Sequence, residues 1–238
     1  MNRFILYVWD HFPSSRKFIK KIFFDIANII LKIGERLGLI YSDLFSRLGT
    51  SWFDHRFDYL KGISNYHWME RAFFSLDIIK KGDVVLNIGC GDGSFDGLYY
   101  ADKAEYVVSI DKDPVAISHA KKYYKRPNVS FVKLDITRKK LPSKKYNIVL
   151  MFAVIEHFTE LEGIEVLKNI KQSLKSGGIL FGSTPLLKSL GKSNWEHKNE
   201  FCSTNQLKTL LSKVFQKIDI KIQKWSEGRT EIYFKCSV

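Results

Sequence analysis

Cysteine is scarce in this chain of 238 residues, with three at positions 90, 202 and 236. An odd number without the close pairing of zinc ligands supports neither a disulfide framework nor a metal site, so no metal is expected and a reducing compartment is the simplest setting. Proline numbers only five, and no low-complexity tract or internal repeat divides the chain. One substantial α/β core with an appended element therefore fits the length better than two full domains. Long apolar runs are also missing. The stretch Phe4 to Trp9 is too short to span a bilayer and lacks a following small-residue cleavage site, while Asp25 and Glu35 interrupt the next apolar segment. Neither a membrane span nor a signal peptide is predicted, which points to the cytoplasm, with peripheral contact at a membrane as a variant. Acidic residues are in the minority, 25 against 38 Lys and Arg, giving a net charge of +13. Such an excess raises the local concentration of anionic partners without specifying which. Hydrophobic residues make up 45% of the chain, which excludes a disordered class.

What is present begins at Val84-Val85-Leu86-Asn87-Ile88-Gly89-Cys90-Gly91-Asp92-Gly93-Ser94-Phe95. A continuous apolar run reads as a parallel strand buried on both faces, and glycines at alternate positions let the backbone turn sharply and approach a ligand closely. The run Tyr106 to Asp111 is a second strand, ending in a carboxylate some way past the glycines, where it can accept both hydroxyls of a ribose. The third strand, Val129 to Leu134, is followed by Asp135, and the fourth, Tyr146 to Phe152, leads into Ala153-Val154-Ile155-Glu156-His157-Phe158. Strands ending at one edge place their polar tips in a single crevice. A dinucleotide fingerprint would want its third glycine where this chain has Ser94.

From Lys81 to Pro185 these segments, in order and spacing, resemble the class I S-adenosylmethionine-dependent methyltransferases. That resemblance implies a doubly wound, seven-stranded, mostly parallel α/β sheet, preceded here by an N-terminal helical extension. It implies S-adenosyl-L-methionine as cofactor, held in a cradle of Asn87, Gly89, Cys90, Gly91 and Gly93. Asn87 replaces the family's usual opening acid; it can hydrogen-bond but brings no charge to a cation. By the same resemblance Asp111, with Lys112 beside it, faces the ribose, Asp135 and the Ile136 backbone face the adenine, and Met151 and Phe152 line the cofactor. Arg71, near Trp68 in a lid-like stretch, is offered to the methionine carboxylate, since an arginine grips a carboxylate with paired hydrogen bonds.

The implied reaction is direct displacement at a sulfonium methyl, which mostly needs alignment; alignment can supply roughly 7 to 11 kcal/mol of a barrier. His197 and His157 are the candidate catalytic bases, because imidazole titrates nearest to neutrality. Asn-Pro-Pro-Tyr, which the resembling nucleic-acid aminomethyltransferases carry after the fourth strand, is replaced by Ala153-Val154-Ile155-Glu156, and there is no Pro-Cys pair. Oxygen or nitrogen of a small-molecule, lipid-linked or glycan acceptor is therefore expected. The alternatives are a catalytically weak cofactor-binding module acting through its basic N-terminal helix, or an RNA or protein methyltransferase.

Two segments are predicted, a helical extension or lid over 1–60 and the cofactor-binding domain over 61–238. In the first, Phe18, Ile19, Ile22, Phe23, Ile26, Ile29, Ile30 and Ile33 recur at spacings of three and four among Arg16, Lys17, Lys20, Lys21, Lys32 and Arg36. That pattern predicts one or two amphipathic helices, expected to pack over the core rather than bind a membrane surface. After Pro185 a polar loop carries His197, and a helix over 201–215 is capped by Ser203 or Thr204. Residues 218–222 and 231–236 alternate as a closing pair of strands.

Overall fold

The computed structural model describes residues 7, 11, 15–47, 52, 54, 66–187, 196–224 and 230–238. Two compact units partition the chain, residues 1–50 with 54–65, and residues 51–53 with 66–238.

The larger unit is a seven-stranded sheet, with β1 Val84–Ile88, β2 Tyr106–Asp111, β3 Val129–Lys133, β4 Tyr146–Phe152, β5 Leu174–Pro185, β6 Lys217–Lys224 and β7 Thr230–Ser237. Spatial order is β3-β2-β1-β4-β5-β7-β6. β1 to β5 run parallel, and β7 pairs antiparallel with both β5 and β6. Strand order reverses between β1 and β4, which is where an open α/β sheet leaves a crevice at its carboxyl edge. The expected doubly wound, mostly parallel sheet is what forms.

Apolar continuity explains the central strands: Val85, Leu86 and Ile88 of β1, and Ile148 to Met151 of β4, are buried. One face of the sheet is covered by α4 Glu160–Ser173 and α5 Thr204–Ser212, whose Val166, Leu167, Ile170, Leu207, Leu210 and Leu211 join Leu86, Val149 and Met151 in a single core. On the other face Ile79, Tyr100, Phe181 and Tyr233 pack with Val85, Val107, Ile148 and Leu150, and Phe74 of α2 Tyr66–Ile78 lies against them. Between β2 and β3, α3 Pro114–Tyr123 buries Ile117 and Ala120 against Phe131.

Local chemistry starts these helices where it should. Asp113 caps α3 by accepting from the Val115 and Ala116 amides, with Pro114 in the first turn, where its missing N–H has no partner to lose. Thr159 with Glu162, and Ser203 with Gln206, form reciprocal capping boxes at α4 and α5. The last helix is thus shorter than expected, and its cap is Ser203.

The smaller unit contains α1 Ser15–Arg47, one helix of 33 residues where one or two were expected. Its Phe18, Ile22, Ile26, Ile29, Ile33, Leu37 and Ile40 are exposed. No helix among the described residues is long and apolar enough to cross a membrane.

Candidate functional site

Three glycines shape the crevice mouth, and each has a positive φ: +72° at Gly89, +54° at Gly91 and +78° at Gly93. Such angles strain any residue with a Cβ. The neighbourhoods differ, however. A Cβ on Gly89 would stand 2.4 Å from Val154 Cγ2, and one on Gly93 would stand 2.7 Å from both Ala120 and Phe131, whereas one on Gly91 would meet nothing nearer than Trp52 Cβ at 3.7 Å. Gly89 and Gly93 are thus required for packing, while Gly91 leaves room for a methyl beside Trp52. The loop is tied to β2 through Gly89 and Cys90, whose amides donate to the Ile110 carbonyl at 2.8 and 3.1 Å.

Asp111 ends β2 beside this loop. Its Oδ2 accepts from the Gly91 amide at 3.0 Å and its Oδ1 from the Asp113 amide at 2.9 Å. Burial raises its pKa against those two hydrogen bonds. Each carboxylate oxygen has a second lone pair, so Asp111 can brace the loop and still accept from a ligand hydroxyl. Asp135 lies further along the same edge and accepts from both the Thr137 amide and hydroxyl. Burial works to raise its pKa, but the Thr137 hydrogen bonds and Arg138 hold it below the ordinary value. Ile136 is buried beside it.

Asn87 has a partner that the sequence did not suggest. Its Nδ2 lies 3.0 Å from both carboxylate oxygens of Asp96, and Ser109 Oγ donates to one of them at 2.7 Å. Asp96 is fully buried, and burial lifts its pKa to about 7 despite the two donors. A carboxylate therefore does stand at the base of the cradle, one side chain behind the position where an acid was missing. The Cys90 thiol is pushed well up by burial and then by Asp96, Asp111 and Asp92, so it stays protonated.

Arg71 is 1% exposed, and its Nε donates to Glu231 at 2.9 Å, with the Trp68 ring 4.6 Å from its guanidinium carbon. Ser183 donates to the same Glu231 oxygen. A ligand carboxylate at Arg71 would have to share it with Glu231. Met151 is wholly enclosed in the core, while Phe152 is half-buried and meets Phe181 edge to face. Lys112 follows Asp111 at the rim and is near enough to His157 to influence its charge.

After β4 the chain turns through Ala153, a non-glycine residue at φ 51°, into a short 3-10 turn of Ile155–His157. The strained residue was not legible in the sequence, and it aims the turn at the crevice. Glu156 is 2% exposed, accepts from the Thr184 hydroxyl at 3.0 Å, and has its pKa raised to about 7, chiefly by burial. Its main-chain carbonyl accepts from the Lys198 and Asn199 amides, which brings the His197 segment back to the turn. His157 and His197 meet edge to face with ring centroids 5.0 Å apart. Burial, and then the neighbouring His197, lower the pKa of His157. The two histidines singled out separately in the sequence thus share one site.

Comparison with known proteins agrees with this geometry. Residues 85–178 match the methyltransferase domain family. A protein of Mycobacterium tuberculosis named a probable S-adenosylmethionine-dependent methyltransferase is 30% identical over 101 residues, which is 42% of this chain and 35% of that protein. A sterol 24-C-methyltransferase of Aspergillus fumigatus is 32% identical over 105 residues, 42% of this chain and 27% of the relative. The chain thus spans 35% and 27% of the length of these two curated relatives. Among solved structures, the N-methyltransferase NodS of Bradyrhizobium japonicum superposes with a TM-score of 0.59 at 18% identity, over 73% of this chain and 97% of that one. Its complex with S-adenosyl-L-homocysteine gives 0.57 at 17% identity, over 73% and 85%. At such identities the likeness is one of fold.

Proposed function

We propose, from the match of residues 85–178 to the methyltransferase domain family, that the sheet unit is a class I S-adenosylmethionine-dependent methyltransferase domain and that the protein transfers a methyl group from S-adenosylmethionine to oxygen or nitrogen of a small-molecule, lipid-linked or carbohydrate-like acceptor. The observation that carries the reading is the cradle itself: three positive-φ glycines in the loop after β1, at the switch point of the sheet, braced at Gly91 by Asp111 from the end of β2. When bound, the cofactor supplies an electrophilic methyl on a cationic sulfur, which leaves as a neutral thioether.

In this reading Gly89, Cys90, Gly91 and Gly93 form the floor, Asp111 accepts from the ribose hydroxyls with Lys112 at the rim, and Asp135 with the Ile136 amide takes the adenine edge. Asn87 acts through Asp96, whose carboxylate it holds with both of its contacts. Above about pH 7, where Asp96 is ionised, that buried carboxylate supplies negative potential to the cradle from one residue further back, which supports a catalytic role over a weak binding module. Phe152, with Met151 behind it, closes the apolar end. Arg71 fixes Glu231 and Trp68 as much as any ligand. His157, kept neutral by burial, and His197 stand ready to accept a proton from the acceptor.

A small acceptor is supported by one relative's name, that of a sterol methyltransferase, and by the absence of the Asn-Pro-Pro-Tyr segment. The test is release of S-adenosylhomocysteine on incubation with panels of hydroxylated and amino small molecules, glycans, RNA and peptides. Turnover confined to the first two panels is expected; turnover only on RNA or peptides would overturn the acceptor class.

For α1 a separate observation favours docking on an anionic membrane surface. Phe18, Ile22, Ile26 and Ile29 are exposed along a helix that also carries Lys17, Lys20, Lys21 and Lys32.

A further inference from the structure

Glu156 and His157 sit in the turn after β4, and His197 on the segment after β5. One ligating atom from each of the three lies within 4.8 Å of the other two. Glu156 Oε2 accepts from Thr184, but its Oε1 accepts no hydrogen bond although the side chain is 2% exposed. A buried carboxylate oxygen without a donor is unfavourable unless it takes up a proton or meets a cation. Two imidazoles converge on the same point. Glu200 holds Nδ1 of His197 at 2.8 Å, the carboxylate–imidazole arrangement with which proteins orient metal-binding histidines. Glu196 lies 4.0 Å from His157 Nδ1 and adds negative potential.

We propose that Glu156, His157 and His197 bind one divalent metal ion, zinc by the chemistry of the donor set, with a coordination position left for water or for an oxygen of the acceptor. Two imidazoles and one carboxylate suit zinc, whereas magnesium and calcium favour oxygen alone. Three protein ligands are the number found in open sites that admit a fourth group, in contrast to the four of structural sites. Cysteine spacing gave no hint of it, since the ligands come from a turn and a distant loop that only the fold unites. With the metal bound, His157 and His197 would serve as ligands in place of bases, and an acceptor hydroxyl on the metal would lose its proton more readily; this consequence alone rests on the methyl-transfer reading.

The test begins with full-length protein stripped by a chelator, titrated calorimetrically with zinc chloride. One equivalent per chain is expected, with affinity at least about tenfold weaker in His157→Ala and in Glu156→Gln, and also weaker in Glu200→Gln, which loses only the orienting carboxylate. His119→Ala, elsewhere in the same unit, should bind as wild type. Stoichiometry near zero, or zinc binding lost in His119→Ala and kept in the other variants, would overturn the site. Should His157→Ala not fold, the near-isosteric Glu156→Gln decides. S-adenosylmethionine titrated into stripped protein separates the two readings: binding of cofactor without zinc refutes only the metal, and binding of zinc without cofactor supports the metal and refutes only the donor.

Discussion

Asn87 and Asp96 form the pair on which the cradle's charge depends. If the amide is needed to face the carboxylate, Asn87→Asp sets two acids against each other in a buried site and should cost about 1–3 kcal/mol of stability, read by urea unfolding at pH 8. Exchanging both, Asn87→Asp with Asp96→Asn, restores one donor and one acceptor and should recover most of that loss in a double-mutant cycle. Loss of the same size in the double variant would show that the partnership is not the cause. Asp96 also sets a pH dependence. Its folded pKa of about 7 lies above the unfolded value near 4, so between those limits the native state holds a proton that the unfolded chain has released. Stability should therefore fall as pH rises from about 4 to 7, by up to roughly 1.4 kcal/mol per unit from this group, and level off above. Asp96→Asn should reduce that slope and leave the share that Glu156, with a pKa also raised to about 7, contributes; an unchanged slope would assign it to another group. None of this pairing was legible in the chain, because a carboxylate past the glycine turn reads as a first-turn helix acid until the helix brings it back beneath β1. Arg71 with Glu231, and Glu156 with His197, were hidden for the same reason: each joins segments far apart in sequence.

At the scale of elements the reading was clearest where one physical pattern dominates. Buried parallel strands show as unbroken apolar runs, which is why β1, β2 and β4 were placed nearly to the residue; β5 also takes in the polar Lys175 and Ser176, its start pairing with Tyr146 across an irregular register. The glycine loop permits a sharper test than the strands. Gly91→Ala makes only an ordinary van der Waals contact, 3.7 Å from Trp52 Cβ, so backbone strain of about 1–2 kcal/mol dominates its effect on stability, while its methyl enters the cradle. Gly93→Ala collides with α3 and Phe131 and should be far more destabilising. A folded Gly91→Ala protein that binds S-adenosylmethionine as wild type would put the ligand elsewhere. At α5, Ser203→Ala removes half of a capping box and should lower stability by about 1 kcal/mol in thermal or urea unfolding.

For the whole molecule, the apolar stripe of α1 and the sheet unit call for separate assays. Packing of Ile22, Ile26, Ile29 and Ile33 over the core is one expectation from their spacing and a membrane surface is the other, because spacing marks an apolar face without naming what covers it. Those side chains are exposed, so full-length protein should co-sediment with anionic vesicles, less so as salt rises, and lose that binding when residues 1–50 are deleted. Salt-insensitive or absent sedimentation would remove the membrane reading. The central claim concerns the carboxyl edge of the sheet, where loop, Asp111 and Asp135 converge, and it is tested most directly by calorimetric titration of the full chain with S-adenosylmethionine. The account expects saturable binding of one molecule per chain, weakened at least tenfold, about 1.4 kcal/mol, in a folded Asp111→Ala variant. No binding to wild type, or equal affinity in the variant, would contradict it.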